Sequence, residues 1–196
     1  IASAAVVLLV GARFSGHASF STFTCICALL YFANSENVNV AVVLSNNRNV
    51  GVHGRVNKLG VPSFVFSREE FIAGVPILEK LAEYDVCLIV LAGFMNKISD
   101  VILQAFPGKI VNIHPALLPK YGGKGMYGMH VHEAVVKAGE RESGITIHYI
   151  NEHYDEGAII FQASCPVLPS DTPDEVAAKV HALEYAHYPH VIESLL

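Results

Sequence analysis

The stretch Val86-Cys87-Leu88-Ile89-Val90-Leu91-Ala92 decides the architecture. It is a continuous apolar run, without the polar alternation of a strand that faces water on one side. Such a run suits a strand covered on both faces, as in a parallel sheet. The same reading extends to residues 4–10, 38–45, 63–66 and 109–112, all short and rich in β-branched residues. Two later runs, 144–151 and 158–166, lie close together around Asp155-Glu156-Gly157, and read as an antiparallel addition joined by a tight turn. Helix signals fill the gaps. Ser67-Arg68-Glu69-Glu70 is a capping box opening a helix to about Tyr84. Thr172-Pro173-Asp174-Glu175 repeats the logic, with a Thr cap, Pro in the first turn and carboxylates near the positive helix end. That last helix is expected to reach about Leu196, with Pro189 kinking or interrupting it. The expected fold class is α/β: a single-domain, doubly wound, mostly parallel sheet with helices on both faces, and an antiparallel strand addition near the C-terminal half.

Composition narrows the function classes. The chain has 196 residues, 52% apolar and 16% charged, enough to bury a sizeable core and unlike a disordered segment. One domain, 1–196, is expected. A formal net charge of −5 does not favour a nucleic-acid partner. Cys25, Cys27, Cys87 and Cys165 form no C-x-x-C pair and read as reduced thiols. The apolar start, residues 1–10, has no basic residue before it and is too short to cross a bilayer, so no membrane partner is expected and the localisation read is cytoplasmic. His130 and His132 form a His-x-His pair that invites a metal reading. Neither a helical His-x-x-x-His nor a Cys partner supports it, so no metal is assigned.

In doubly wound sheets, ligands bind outside the carboxyl ends of the strands. Attention falls on the loops after Val10, Ala92 and Asn112. The richest stretch is Asn112-Ile113-His114-Pro115-Ala116-Leu117-Leu118-Pro119-Lys120. Side chains two apart on an extended strand share a face, so Asn112 and His114 can point at one reacting centre. The two prolines stiffen the exit, and either X–Pro bond is a candidate for cis. Asp155 reads either as a plain turn residue or as a carboxylate facing His114 across a cleft.

These residues carry a resemblance. Asn112 to Pro119, the upstream Leu91-Ala92-Gly93-Phe94-Met95, and the downstream Gly144-Ile145-Thr146-Ile147-His148 with Tyr154-Asp155-Glu156-Gly157 resemble the folate-dependent formyltransferase family. The likeness runs from about Tyr31 to the end of the chain. It implies formyl transfer from 10-formyltetrahydrofolate, as co-substrate, to the amine of glycinamide ribonucleotide in purine biosynthesis. It implies small-molecule partners and no metal, and leaves oligomeric state open. The implied catalytic residues are Asn112, His114 and Asp155. The implied folate site comprises Met95, Asn96, Lys97 and Ile98 with Ile150, Asn151, Glu152, His153 and Tyr154. Gly93, His181 and Glu184 match ribonucleotide contacts. Phe94 reads equally as core, and a lone Glu such as Glu184 is commonly a solvated helix residue. The part before residue 110 is expected to hold the nucleotide, the remainder the folate and the chemistry.

The first 30 residues depart from the family, whose small polar loop after the first strand cradles a phosphate on backbone N–H groups. Counting from the first strand makes residues 11–16 the loop, with Gly11, Arg13, Ser15 and Gly16 as nucleotide-binding candidates. Counting back from Tyr31 makes it residues 19–24. Either way the small-residue pattern is altered. This admits a second function, a non-catalytic folate or nucleotide binder on the same fold. A third is a related formyltransferase or deformylase; such relatives carry an added domain, for which a single-domain chain leaves no room. The stretch Lys120 to His130 holds Gly122, Gly123, Gly125 and Gly128, and reads as a mobile loop or an ordinary surface loop.

Overall fold

The computed structural model describes residues 4–10, 32, 38–46, 52–94 and 96–196, with backbone alone at 4–10, 52 and 55. The alternatives for the phosphate loop, Met95, Cys25 and Cys27 lie outside the described residues. Seven strands form one sheet: β1 (Ala4–Val10), β2 (Val38–Ser45), β3 (Ser63–Val65), β4 (Leu88–Ala92), β5 (Ile110–His114), β6 (Glu142–Tyr149) and β7 (Ile159–Pro166). Their spatial order is β3-β2-β1-β4-β5-β6-β7. The first five run parallel, and β6 and β7 are antiparallel. The order reverses between β1 and β4, where Val10 pairs with Ala92. That row is the switch point at which such sheets bind ligands.

The strand read first explains the layering. Leu88, Val90 and Ala92 belong to one buried cluster, and Ile89 and Leu91 to another. Alternate side chains thus fill opposite cores, which is why the run has no polar position. One core packs α5 (Met129–Lys137) and α6 (Pro173–Ser194) through Val135, Val176, Val180 and Ile192. The other packs α2 (Arg68–Ala73), α3 (Val75–Glu83) and α4 (Asp100–Ala105) through Phe71, Ile77, Leu81 and Ile102. A short α1 (Val52–Lys58) precedes β3. Cys165 is buried and Cys87 half-buried.

Two local expectations change. The helix opened by Ser67 stops at Ala73 and restarts at Val75. Its capping box is present, with the Ser67 N–H donating to Glu70 Oε2 at 2.7 Å and the Glu70 N–H to Ser67 Oγ at 3.2 Å. The break comes from Gly74, at φ 77°, followed by Pro76, which lacks an N–H for a continuing helix. A Cβ on Gly74 would sit 2.8 Å from Ser99 Oγ, so glycine also lets α4 approach. Conversely, α6 runs through Pro189 without interruption, starting from the Thr172–Glu175 capping box. Tyr188 beside it is fully buried, and its hydroxyl donates to the Leu91 carbonyl at 2.8 Å and lies 3.4 Å from that of Val111. No helix among the described residues is long and apolar enough to cross a membrane.

Candidate active site

Val111, Ile113, Ile145 and Ile147 face the α5–α6 core. The intervening positions on β5 and β6 therefore share the other face. There the register sets Asn112 opposite His148 and His114 opposite Thr146, and the next strand adds Gln162 opposite Thr146. The result is two polar rows running across β5 and β6, one of them extended onto the edge strand β7.

The chain leaving β5 is pinned to those rows. Thr146 Oγ1 accepts from the Leu118 N–H at 2.9 Å and donates to the Ala116 carbonyl at 2.7 Å. Gln162 Nε2 lies 3.0 Å from the Leu118 carbonyl and 2.9 Å from Thr146 Oγ1, donating to both. The Leu118–Pro119 bond is the cis one. Beyond it, Tyr121 adopts φ 56° and turns its carbonyl onto His114, whose Nε2 donates to it at 2.7 Å. A carbonyl only accepts, so Nε2 carries the proton.

Asp155 comes from the β6–β7 connection, which is longer than the tight turn expected. Strand β6 ends at Tyr149, opposite Val111, yet Asp155 reaches His114, so residues 150–158 fold back along the sheet. Gly157 permits this, since a Cβ there would lie 1.6 Å from the Tyr149 carbonyl oxygen. Asp155 itself sits at φ 57°, a conformation uncommon outside glycine and tolerated best by Asp and Asn. Its Oδ2 accepts from the Gly123 N–H at 2.9 Å and lies 3.6 Å from His114 Nδ1. Its Oδ1 lies 3.6 Å from His148 Nε2. Both separations are ion-pair distances rather than direct hydrogen bonds.

One carboxylate thus faces two buried imidazoles. His148 is fully buried, and desolvation holds its pKa below the usual histidine value against the opposing pull of the Tyr149 carbonyl and Asp155. Its Nδ1 donates to the Tyr149 carbonyl at 3.0 Å, which leaves a lone pair on Nε2. That lone pair accepts from Asn112 Nδ2 at 3.3 Å. His148 is therefore held in its neutral form and orients the Asn112 amide, while the other Asp155 oxygen lies against His114. Asn112 keeps a second amide N–H for a ligand. The trio expected from sequence converges. His148, Tyr121, Gly123, Thr146 and Gln162 were missed as site residues; the polar alternation Thr146-Ile147-His148 was the available signal.

The other candidates separate. Ile98 and Ile150 lie in or against one apolar cluster, bringing the loop after β4 beside the stretch before Asp155. Ile98 is buried, Ile150 half-buried, and Asn96, Lys97, Asn151, Glu152, His153 and Tyr154 are exposed. Phe94 is core, packed on Phe71 with ring centroids 4.8 Å apart. Gly93, at φ 64°, turns the chain directly after β4. Glu184 is no solvated helix residue: it is buried on α6, with its Oε2 3.0 Å from His181 Nδ1. His132 is buried close by, its ring 6.2 Å from that of His181, and burial pushes its pKa down to about 4. His130 and His132 lie two residues apart on α5, on opposing sides of a helix, with one exposed and the other buried. No group of three potential metal ligands occurs among the described residues.

A doubly wound sheet that gathers an amide, an imidazole and a carboxylate at one strand has the parts for moving a carbonyl-centred group. The chain belongs to the formyl transferase family, whose profile matches residues 14–192. It is 38% identical over 166 residues to the chloroplastic phosphoribosylglycinamide formyltransferase of Arabidopsis thaliana, covering 82% of this chain and 57% of that protein. It is 38% identical over 158 residues to the phosphoribosylglycinamide formyltransferase of Haemophilus influenzae, covering 79% of this chain and 72% of that one. The crystal structure of glycinamide ribonucleotide transformylase 1 from Geobacillus kaustophilus superposes with a TM-score of 0.86 at 28% identity, covering 100% of both chains. The chain spans 57% and 52% of the length of the two plant relatives it matches.

Proposed function

We propose that this chain transfers the formyl group of 10-formyltetrahydrofolate to the primary amine of glycinamide ribonucleotide, in the cytoplasm and as a single catalytic domain. The substrate amine attacks the formyl carbon, a new C–N bond forms, and negative charge gathers on the formyl oxygen. The second amide N–H of Asn112 donates to that oxygen, and a protonated His114 stabilises it. The Asp155 carboxylate favours the charged imidazole and, through water, relays the proton lost by the amine. The bond to the folate nitrogen then breaks, and that nitrogen takes up a proton.

Folate is assigned to Met95, to residues 96–98 and to residues 150–154. The nucleotide is assigned to Gly11, Arg13, Ser15 and Gly16, with Gly93 at the switch point and His181 and Glu184 on α6. The position of Glu184 supports this: it is buried on α6 and held beside His181, with its Oε2 3.0 Å from His181 Nδ1.

The observation that carries the reading is the 3.6 Å approach of Asp155 to His114 next to an oriented Asn112, in a chain of this family. The test is a turnover assay with both substrates. Equal amounts of formylated ribonucleotide and tetrahydrofolate are expected. Folate binding without formylated product would replace the reading with a binder, and formate release without the amine would replace it with a deformylase.

A further inference from the structure

The side chains of Lys120 and Tyr121 have no part in the chemistry above, yet they converge on one carboxylate. Glu140, in the turn between α5 and β6, accepts from Lys120 Nζ at 3.0 Å and from the Tyr121 hydroxyl at 3.0 Å, both on Oε1. Twenty residues earlier in the chain, the backbone of this same segment does something different. The Tyr121 carbonyl holds His114 Nε2 at 2.7 Å, and the Gly123 N–H holds Asp155 Oδ2 at 2.9 Å. The tripeptide Tyr121-Gly122-Gly123 is therefore a backbone bridge across the imidazole–carboxylate pair. Gly122 in its middle is closely packed: a Cβ there would lie 2.6 Å from Leu118 Cδ2 and 3.3 Å from Asp155 Cβ, so both would have to give way.

We propose that Glu140 is a positioning residue which, by holding Tyr121 and Lys120, sets this bridge and so fixes the proton on His114 Nε2 and the distance to Asp155. Tyr121 holds a positive φ that a non-glycine residue adopts at a cost, and a tether at its ring end is what the strained backbone needs. The ring also packs against the α5–α6 core, which leaves its hydroxyl as the directional contact.

The clamp stays charged at neutral pH. The Lys120 ammonium, then the Tyr121 hydroxyl, hold the Glu140 carboxyl below its usual pKa. A depressed carboxylate contributes above its unfolded value and loses that contribution as pH falls through the folded value, so the clamp opens only in acid. The groups that face His114 are Asp155 from the β6–β7 connection, His148 on β6 and His132 on α5, besides the Tyr121 carbonyl.

The experiment is an NMR titration of the His114 ring protons, assigned with His114→Asn, in the wild type and in Glu140→Ala, Tyr121→Phe and Glu140→Gln. In Glu140→Ala and Tyr121→Phe the His114 titration departs from its wild-type position, and the acid limb of the kcat profile moves with it. Turnover falls on the order of 10–100-fold while folate KM changes little. Glu140→Gln keeps an oxygen for the Tyr121 hydroxyl and recovers most of the shift. Tyr121→Phe keeps the half-buried ring and its packing, so folding is preserved. A His114 titration that is the same in all four proteins overturns the proposal, whatever happens to melting temperature. The kinetic arm rests on the formyl-transfer reading; the titration arm does not, so failure of one is distinguishable from failure of the other.

Discussion

The side-chain amide of Asn112 donates to the unprotonated Nε2 of His148 across the β5–β6 pair, at 3.3 Å. A neutral histidine whose other nitrogen is tied to the Tyr149 carbonyl can only accept at Nε2, so it selects one of the two flips of the amide. Replacing His148 by Phe keeps a ring but removes the acceptor. Turnover is expected to fall about 10–100-fold, with folate affinity nearly unchanged. Steady-state kinetics with equilibrium folate binding checks this; a normal kcat would remove His148 from the site.

Asp155→Asn retains an oxygen for the Gly123 N–H but loses the charge opposite His114. Folding should survive and turnover should drop roughly 100-fold or more, the usual scale for a proton-handling group. Wild-type turnover in a folded variant would leave the carboxylate without a role.

Thr146→Val preserves shape and deletes the hydroxyl that meets the Leu118 N–H, the Ala116 carbonyl and the Gln162 amide. Thr146 is fully buried, so the stranded partners gain no water. The expected loss is about 2–3 kcal/mol. Urea unfolding measures it, and a change within error would mean the loop beyond β5 does not depend on this knot.

His132 gives the stability a pH slope. Burial lowers its folded pKa to about 4, against an ordinary value of 6.5, and the neighbouring His181 pushes the same way. The unfolded chain then binds a proton that the folded one refuses, so stability is full above the ordinary value and declines as pH falls toward the folded one. The decline attributable to this residue is at most about 3 kcal/mol. His132→Leu should flatten melting temperature against pH between 6.5 and 4 relative to wild type. Parallel curves would contradict the assignment. Nδ1 of His132 has no hydrogen-bond partner among the described residues, so the apolar replacement removes an unsatisfied group as well.

Arg13→Ala tests the phosphate loop. If residues 11–16 cradle the phosphate, the substitution weakens ribonucleotide binding and leaves folate binding intact, and inorganic phosphate competes less well with the nucleotide. Calorimetric titration showing unchanged nucleotide affinity would move the loop to residues 19–24.

Much of the fold was legible because burial writes itself into composition. Residues 86–92 could not face water on either side, and the structure sends their side chains into two cores. The capping boxes at Ser67 and Thr172 were legible because their partners lie three residues apart. The helix break at Gly74 was not, because its second cause is the approach of α4 from a distant part of the chain. In the site, Asn112 and His114 share a face by strand geometry alone. The contact with Asp155 was carried by resemblance. His148 escaped notice because its role comes from the antiparallel register that puts it opposite Asn112, a pairing no local pattern states. Glu184 was read as commonly solvated, since sequence does not show that α6 turns that position inward.

The hydroxyl of Tyr188 ties α6 to the carbonyl ends of two adjoining strands. It stands about one turn beyond Glu184. A helix fastened there works as a crossbar: sliding or rolling it would tear bonds at Leu91 and Val111, the residues that lead into the β4 tip and Asn112. Whatever engages Glu184 is thereby held in fixed alignment with the strand that carries Asn112 and His114, with no domain closure needed to bring the two halves of the cleft into step.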